Sequence, residues 1–341
     1  MEVDMNRKAA VFFLLAVLCA ALLSASGCSP RNVSAQPVQQ QQIQLPSVPP
    51  AGAGSPTVFM TTDISSAGLI AVYEALGLEA RGNVAVKIST GEPGNTHFLA
   101  PALIRDLVQR VSGTIVECNT AYGGRRANTA AHYQVARDHG FAAIAPVVIM
   151  DERADVSIPV VGGKHLQEDI VGARFGEFNF HIVLSHFKGH QMGGFGGALK
   201  NMSIGYASSA GKAWIHTAGR SRTSMRGGGT QNDFLESMAE AAKAVADANR
   251  GRMLYINVMN HLSVDCDCSG RPAAPTMADI GILASLDPVA LDQACVDLVY
   301  AARDSRDLIQ RIESRNGLLT ISHAELIGLG SKSYQLIRID G

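Results

Sequence analysis

The chain has 341 residues, 47% hydrophobic and 17% charged, with 29 Lys and Arg against 30 Asp and Glu, a formal net charge of −1. That length supplies core for one large or two medium domains. The near-zero charge leaves no footprint for nucleic acid, and the composition excludes a fibrous chain and a polytopic membrane protein.

Arg7 and Lys8 precede an apolar run over 9–23, and small residues lead to Cys28 in Ala25-Ser26-Gly27-Cys28. The positive start, an apolar stretch too short to span a bilayer and a small-residue cleavage site predict a secretory signal over 1–27. A Cys directly after Ser-Gly is similar to a bacterial lipobox, which implies lipidation at Cys28. Residues 28–56 are rich in Gln, Pro and Ser and nearly uncharged, so they read as the lipid site and a tether. The expectation is a folded unit over 57–341, exported and lipid-anchored at the bacterial cell envelope. Its partners would be the membrane, through that anchor, and a small-molecule ligand or substrate.

From residue 84 the pattern is regular. Strands are predicted at 84–90, 114–120, 142–150, 180–186, 252–259 and 279–285, and helices at about 98–112, 127–139, 232–249 and 289–302. Alternation of this kind implies an α/β fold, a mostly parallel sheet with helices on both faces, with room for two lobes dividing near 175. Such sheets bind ligands beyond the carboxyl ends of their strands. Those ends are predicted at Ser89 to Glu92, Glu117 to Asn119, Ser185-His186, Asn257 to His261 and Ser285 to Asp287.

The segment from Ser185 to Asn201 carries five glycines in nine residues (Gly189, Gly193, Gly194, Gly196, Gly197) beside His186, Lys188, His190 and Lys200. Glycine at this density disfavours helix and strand and invites loops with close backbone approach. Exposed N–H groups beside Lys188 and Lys200 suit an anion. Neither a Walker loop nor a dinucleotide fingerprint is present, because Asn201 follows Lys200 and the glycines lack the required spacing.

Three blocks, TIVECNTAYGGRR (114–126), SHFKGHQMGGFGGALKNMSIG (185–205) and DCDCSGRPAAPTMADIGILASLDPVALDQACVDLV (265–299), resemble the bacterial and archaeal family called domain of unknown function 362. The resemblance covers essentially all of 57–303. Many members carry an inserted segment with cysteines spaced for iron–sulfur clusters. No such run is present in this chain, so no ferredoxin-type cluster is expected.

His190, Lys200 and His216 are also similar, in order and around a Gly-Gly segment, to the nickel-pincer lactate racemases. That resemblance implies Lys200 as the covalent attachment point of a pyridinium-derived nickel cofactor, His216 as the nickel ligand and His190 as the proton-transfer residue. The racemases' further acid/base His has no counterpart in the loop over 120–126.

With Cys19 in the signal and Cys28 lipidated, Cys118, Cys266, Cys268 and Cys295 remain. Asp265-Cys266-Asp267-Cys268 combines carboxylate and thiolate donors, with His261 nearby, and suits zinc, iron or another borderline metal. The alternatives are disulfides to Cys118 or Cys295, since Cys-x-Cys is expected to be too strained to pair with itself, or a plain capped loop. Cys295 reads as core on an apolar helix face. Asp287-Pro288 reads as a helix start, with Asp292 and Asp297 facing a site or, more economically, solvent. Arg125 and Arg126 offer bidentate donors for a carboxylate or phosphate, or line a solvated loop. His97, His132, His139, His165 and His323 read as surface or helix-end residues.

The sequence therefore predicts a metal- or cofactor-dependent enzyme or redox protein. Its catalytic residues would be His186, His190 and Lys200. Cofactor contacts would come from Lys188, Lys200, Gly193, Gly194, Gly196, Gly197, Arg125 and Arg126. The metal ligands, for nickel, iron or zinc, would be His216, Asp265, Cys266 and Cys268. The alternative is a non-catalytic binding protein for a small anion.

Overall fold

A computed structural model describes residues 54–340. The predicted signal, Cys28 and the tether up to residue 53 lie outside the described residues. The chain begins with β1 (Thr57–Thr61), α1 (Ser66–Ala75), β2 (Val84–Lys87), α2 (Pro101–Arg110), β3 (Thr114–Glu117), α3 (Thr129–Asp138) and β4 (Val147–Ile149). A hairpin of β5 (Asp155–Pro159) and β6 (Glu168–Gly172) follows, then β7 (Phe180–His186) and a second hairpin, β8 (Lys188–His190) with β9 (Gly194–Gly196). Helices α4 (Ala198–Tyr206), α5 (Ser209–His216) and α6 (Gln231–Ala248) lead to β10 (Met253–Met259) and β11 (Gly281–Ser285). Last come α7 (Pro288–Ala301), α8 (Arg306–Ser314), α9 (Leu318–Leu326) and β12 (Gln335–Arg338).

Eight strands form one sheet in the order β12-β1-β11-β10-β7-β2-β3-β4. Strands from both sides of residue 175 share it. Pairing is parallel from β10 through β7, β2 and β3 to β4, and again between β1 and β12. The mostly parallel α/β fold is the one the alternation predicts. The period-two rule shows in β7, whose Ile182 and Leu184 join the layer of Leu69 and Val72 from α1 and Ile104 and Leu107 from α2. Val183 faces the opposite layer, with Leu199 and Met202 of α4, Ala239 of α6 and Val296 of α7. Both faces are covered, which is why β7 and β10 are nearly continuous apolar runs.

Two expectations about the strands are corrected. Strand β11 is antiparallel to both of its neighbours, so Ser285 and Asp287 lie at the sheet end away from the other strand carboxyl ends. The connection over 260–280 contains no helix to make a crossover, and the chain turns straight back. The glycine-rich segment is also partly strand. Lys188 pairs with Gly196 and His190 with Gly194, and Gly189 between them lets the hairpin lie on the Val264 backbone, since a Cβ there would lie 2.4 Å from the Val264 carbonyl oxygen.

Asp292 is fully buried rather than solvent-facing. Its carboxylate accepts from the backbone N–H groups of Ala198 (2.7 Å) and Leu199 (2.9 Å), capping α4, and from Asn257 Nδ2 (2.8 Å). Burial pushes this carboxyl up to about 6 against the pull of those donors. The cap matters for the site, because the first turn of α4 carries Lys200 and Asn201. Asp292→Ala should cost about 2–4 kcal/mol by stranding helix N–H groups, read as a lowered urea midpoint at unchanged slope.

Candidate functional site

A cavity of about 390 Å³ lies where the carboxyl ends of β2, β3 and β7 meet the β8–β9 hairpin, α4, α5 and the Cys266–Cys268 loop. Two carboxylates line it, and both are matched. Asp267 accepts from His186 Nδ1 (2.9 Å) and Lys188 Nζ (2.9 Å). Burial pushes the Asp267 carboxyl up, but the His186 ring and the Lys188 ammonium outweigh it and hold it at about 2. Glu117 faces Arg126 Nη1 (3.2 Å) and His132 Nε2 (2.9 Å), and it also accepts from the Thr90 backbone N–H. Burial again opposes ionisation, and Arg126 with His132 drives the Glu117 carboxyl far below the usual range. The Nε of Arg126 donates to Glu92 (2.8 Å).

Three lysines line the same cavity without an ion pair among the described residues. Lys87 Nζ donates to the Ile88 carbonyl (2.7 Å) and Asn201 Oδ1 (2.9 Å), and Lys212 Nζ to the Ala207 carbonyl. Gly205 makes room for Lys87, since a Cβ there would lie 2.7 Å from Nζ. Lys200 Nζ has no hydrogen-bond partner among the described residues. Burial pulls the amines of both Lys87 and Lys200 down to about 8. Neighbouring Arg126 and Lys212 push Lys200 the same way.

The two histidines across the cavity hold opposite tautomers. His190 Nδ1 accepts from the backbone N–H of Gly193 (2.8 Å) and Met192 (3.3 Å), so its ring hydrogen sits on Nε2. His216 Nδ1 donates to the Lys212 carbonyl (2.6 Å), which leaves a lone pair on Nε2. Burial, with Lys200 adding to it, holds the His190 ring neutral, and burial lowers His216 to about 4. The cavity thus offers a neutral N–H donor, a neutral nitrogen acceptor and an amine near neutrality.

Cys266 and Cys268 form a disulfide with each other, contrary to the expected strain. Asp267 between them is drawn inward by His186 and Lys188, and its carbonyl accepts from the Glu92 N–H (2.9 Å). The loop folds around that anchor with a Cα–Cα span of 5.3 Å, inside the ordinary disulfide range. A His190 ring nitrogen and the two sulfurs lie within 4.8 Å of one another. In the disulfide form those sulfurs lack the thiolate charge a metal takes. Cys118 and Cys295 are free and buried, so no bridge reaches either. Cys118 lines the cavity, yet burial pushes its thiol up to about 12.

His190, Lys200, His216, Gly196, Gly197, Cys266, Cys268, His186 and Arg126 come together here. The others do not reach the cavity. Lys188 is spent on Asp267 and the His97 carbonyl, and both nitrogens of His186 face acceptors, Asp267 and the Asn260 carbonyl. Asp265 turns to Arg311 (3.3 Å), and exposed Arg125 pairs with Asp138 (3.6 Å). Gly193 supports His190, and Gly194 packs against Ile312 and Gly317. Arg126 is committed to Glu92, Glu117 and Tyr122, so lysines rather than arginines supply the free positive charge. Sequence reasoning missed Lys87 and Lys212. A Lys inside the apolar strand VAVKIST was the available signal for the first. His132 and His323 are buried on Glu117 and Glu240, not surface residues.

A family model described as a domain of unknown function (DUF362) matches residues 84–297. No curated protein matches the chain. Among solved structures, the lactate racemase apoprotein from Thermoanaerobacterium thermosaccharolyticum matches at 15% identity and a TM-score of 0.39, over 59% of this chain and 50% of that one. A protein from Thermotoga maritima matches at 15% identity and a TM-score of 0.41, over 71% and 58%. The chain therefore spans about half the length of the racemase structure.

Lys200 should acylate with a midpoint near pH 8 when its peptide is followed by mass spectrometry. At pH 7 its neutral fraction should exceed that of an ordinary lysine by about 300-fold. A midpoint above 10 would contradict the electrostatic account.

Proposed function

This chain belongs to the family described as a domain of unknown function (DUF362), and we propose that it is an enzyme acting on small organic anions in this cleft. One observation carries the reading: Lys87, Lys200 and Lys212 line a single cavity without carboxylate partners, while its own carboxylates are already matched. Uncompensated charge is costly to bury, and an anion supplies the missing partner. Proton transfer falls to the histidines. His216 Nε2 accepts a proton, and His190 Nε2–H donates a hydrogen bond to charge developing on the ligand. On the sequence reading the enzyme works at the bacterial cell envelope, held by lipid at Cys28.

The nickel-bearing group implied by the racemase resemblance fits two residues. Lys200 offers an unpartnered amine for a covalent bond. His216 keeps its Nε2 lone pair with Nδ1–H fixed on a backbone carbonyl, an arrangement typical of metal-ligating histidines, and with a metal on that lone pair the proton would pass through His190 instead. If bound, such a group would supply a hydride acceptor. The residues of this chain hold the anion, exclude water and handle the proton.

Calorimetric titration with malonate should show binding that weakens as pH rises past 8, because the Lys200 ammonium then loses its charge. Lys200→Gln should weaken it about 10- to 100-fold. Protein from its natural source should invert the configuration of a 2-hydroxy acid in heavy water without gaining deuterium on carbon, since a hydride does not exchange with solvent, and His216→Ala should abolish the inversion while changing malonate affinity less than about threefold. Binding without inversion across a panel of acids would leave a binding protein instead. Absence of malonate binding at pH 7 would overturn both readings.

A further inference from the structure

We infer that Cys266–Cys268 is an exchangeable dithiol–disulfide couple that reacts with small anionic thiols entering the cleft. The inference rests on the anion-binding reading above and names a substrate class for the same cavity. Its starting point is where the disulfide sits. Both sulfurs line the cavity that Lys200 also lines, and they lie within 4.8 Å of a His190 ring nitrogen. Cys268 is half-buried, so one sulfur is open to attack.

As a staple the bond does little. It closes a loop between residues two apart, and the chain entropy removed by a cross-link falls with loop length. The loop is also held without it. Asp267 is fixed by His186 and Lys188, its carbonyl accepts from Glu92 N–H, and Ser269 N–H donates to the Cys266 carbonyl (3.1 Å). A cross-link that adds little constraint, in a loop already anchored, with both sulfurs turned to a cationic cavity, is placed for reaction.

The chemistry balances. A thiolate from the ligand attacks Cys268 Sγ, a new S–S bond forms as the old one breaks, and the electron pair leaves on Cys266 Sγ. Lys200 and the His190 N–H stabilise that thiolate, which takes a proton from the Lys200 ammonium or water. A second thiolate attacks the mixed disulfide and frees Cys268. Two thiols are oxidised to one disulfide, and the protein disulfide is reduced to a dithiol. A small disulfide reverses the sequence.

The test follows reduction of the full chain by 2-mercaptoethanesulfonate and by cysteamine, compared per thiolate. Free Cys266 and Cys268 are trapped with iodoacetamide and counted by peptide mass. The anionic thiol should react about tenfold faster, an advantage that shrinks in high salt and falls below about threefold in Lys200→Gln. Equal rates for the two thiols, or a disulfide that neither reduces in the folded protein, would overturn the proposal. Malonate titration of the same sample separates the two readings. Intact malonate binding beside an unreactive disulfide removes the exchange alone, whereas loss of both removes the anionic cleft with it.

Discussion

The site depends on an imbalance of buried charge. Ions are taken out of water at a cost that only a partner returns, and both carboxylates that line the cavity have recruited one. Asp267 holds His186 and Lys188, and Glu117 with Glu92 holds Arg126. The carboxylates are exhausted by these pairs. Lys87, Lys200 and Lys212 are left with neutral acceptors or none, and burial pulls the first two down to about 8. An arrangement of this kind is stable only if its amines shed protons or an anion enters.

The same pairings build the geometry. The end of β7 and the start of β8 place His186 and Lys188 two residues apart, and both reach Asp267. That contact pins the Asp265 to Cys268 loop across the strand ends and turns the sulfurs inward. Glycine at position 189 lets the hairpin lie against the Val264 backbone. On the other side Asp292 caps α4, which sets Lys200 over the cavity and Asn201 beside Lys87. Removing any of these supports loosens a residue that itself touches the ligand space.

Much of this was legible in the sequence. Strands at 180–186 and 253–259 announce themselves as apolar runs, and the clustering of polar residues at strand ends points to the correct edge of the sheet for β2, β3, β7 and β10. Strand β11 escaped because direction is set by a long-range pairing that its own residues do not encode. Asp292 escaped because it lies in a helix like any solvated acid, and only the packing of α7 against α4 reveals its cap. The pairing of Cys266 with Cys268 depends on the pull exerted on Asp267 from β7 and β8, well separated in sequence. Lys188 and Arg126 were credited with free charge that the fold spends on carboxylates.

The central claim is that an anion completes the charge of the cleft. Its most direct measurement is proton uptake on malonate binding between pH 8 and 9, from calorimetric enthalpies in buffers of different ionisation heat. An entering anion should raise the Lys200 amine toward its ordinary range, so the protein should take up protons, and Lys200→Gln should take up fewer. Malonate binding with no proton uptake by the unsubstituted protein would contradict the account.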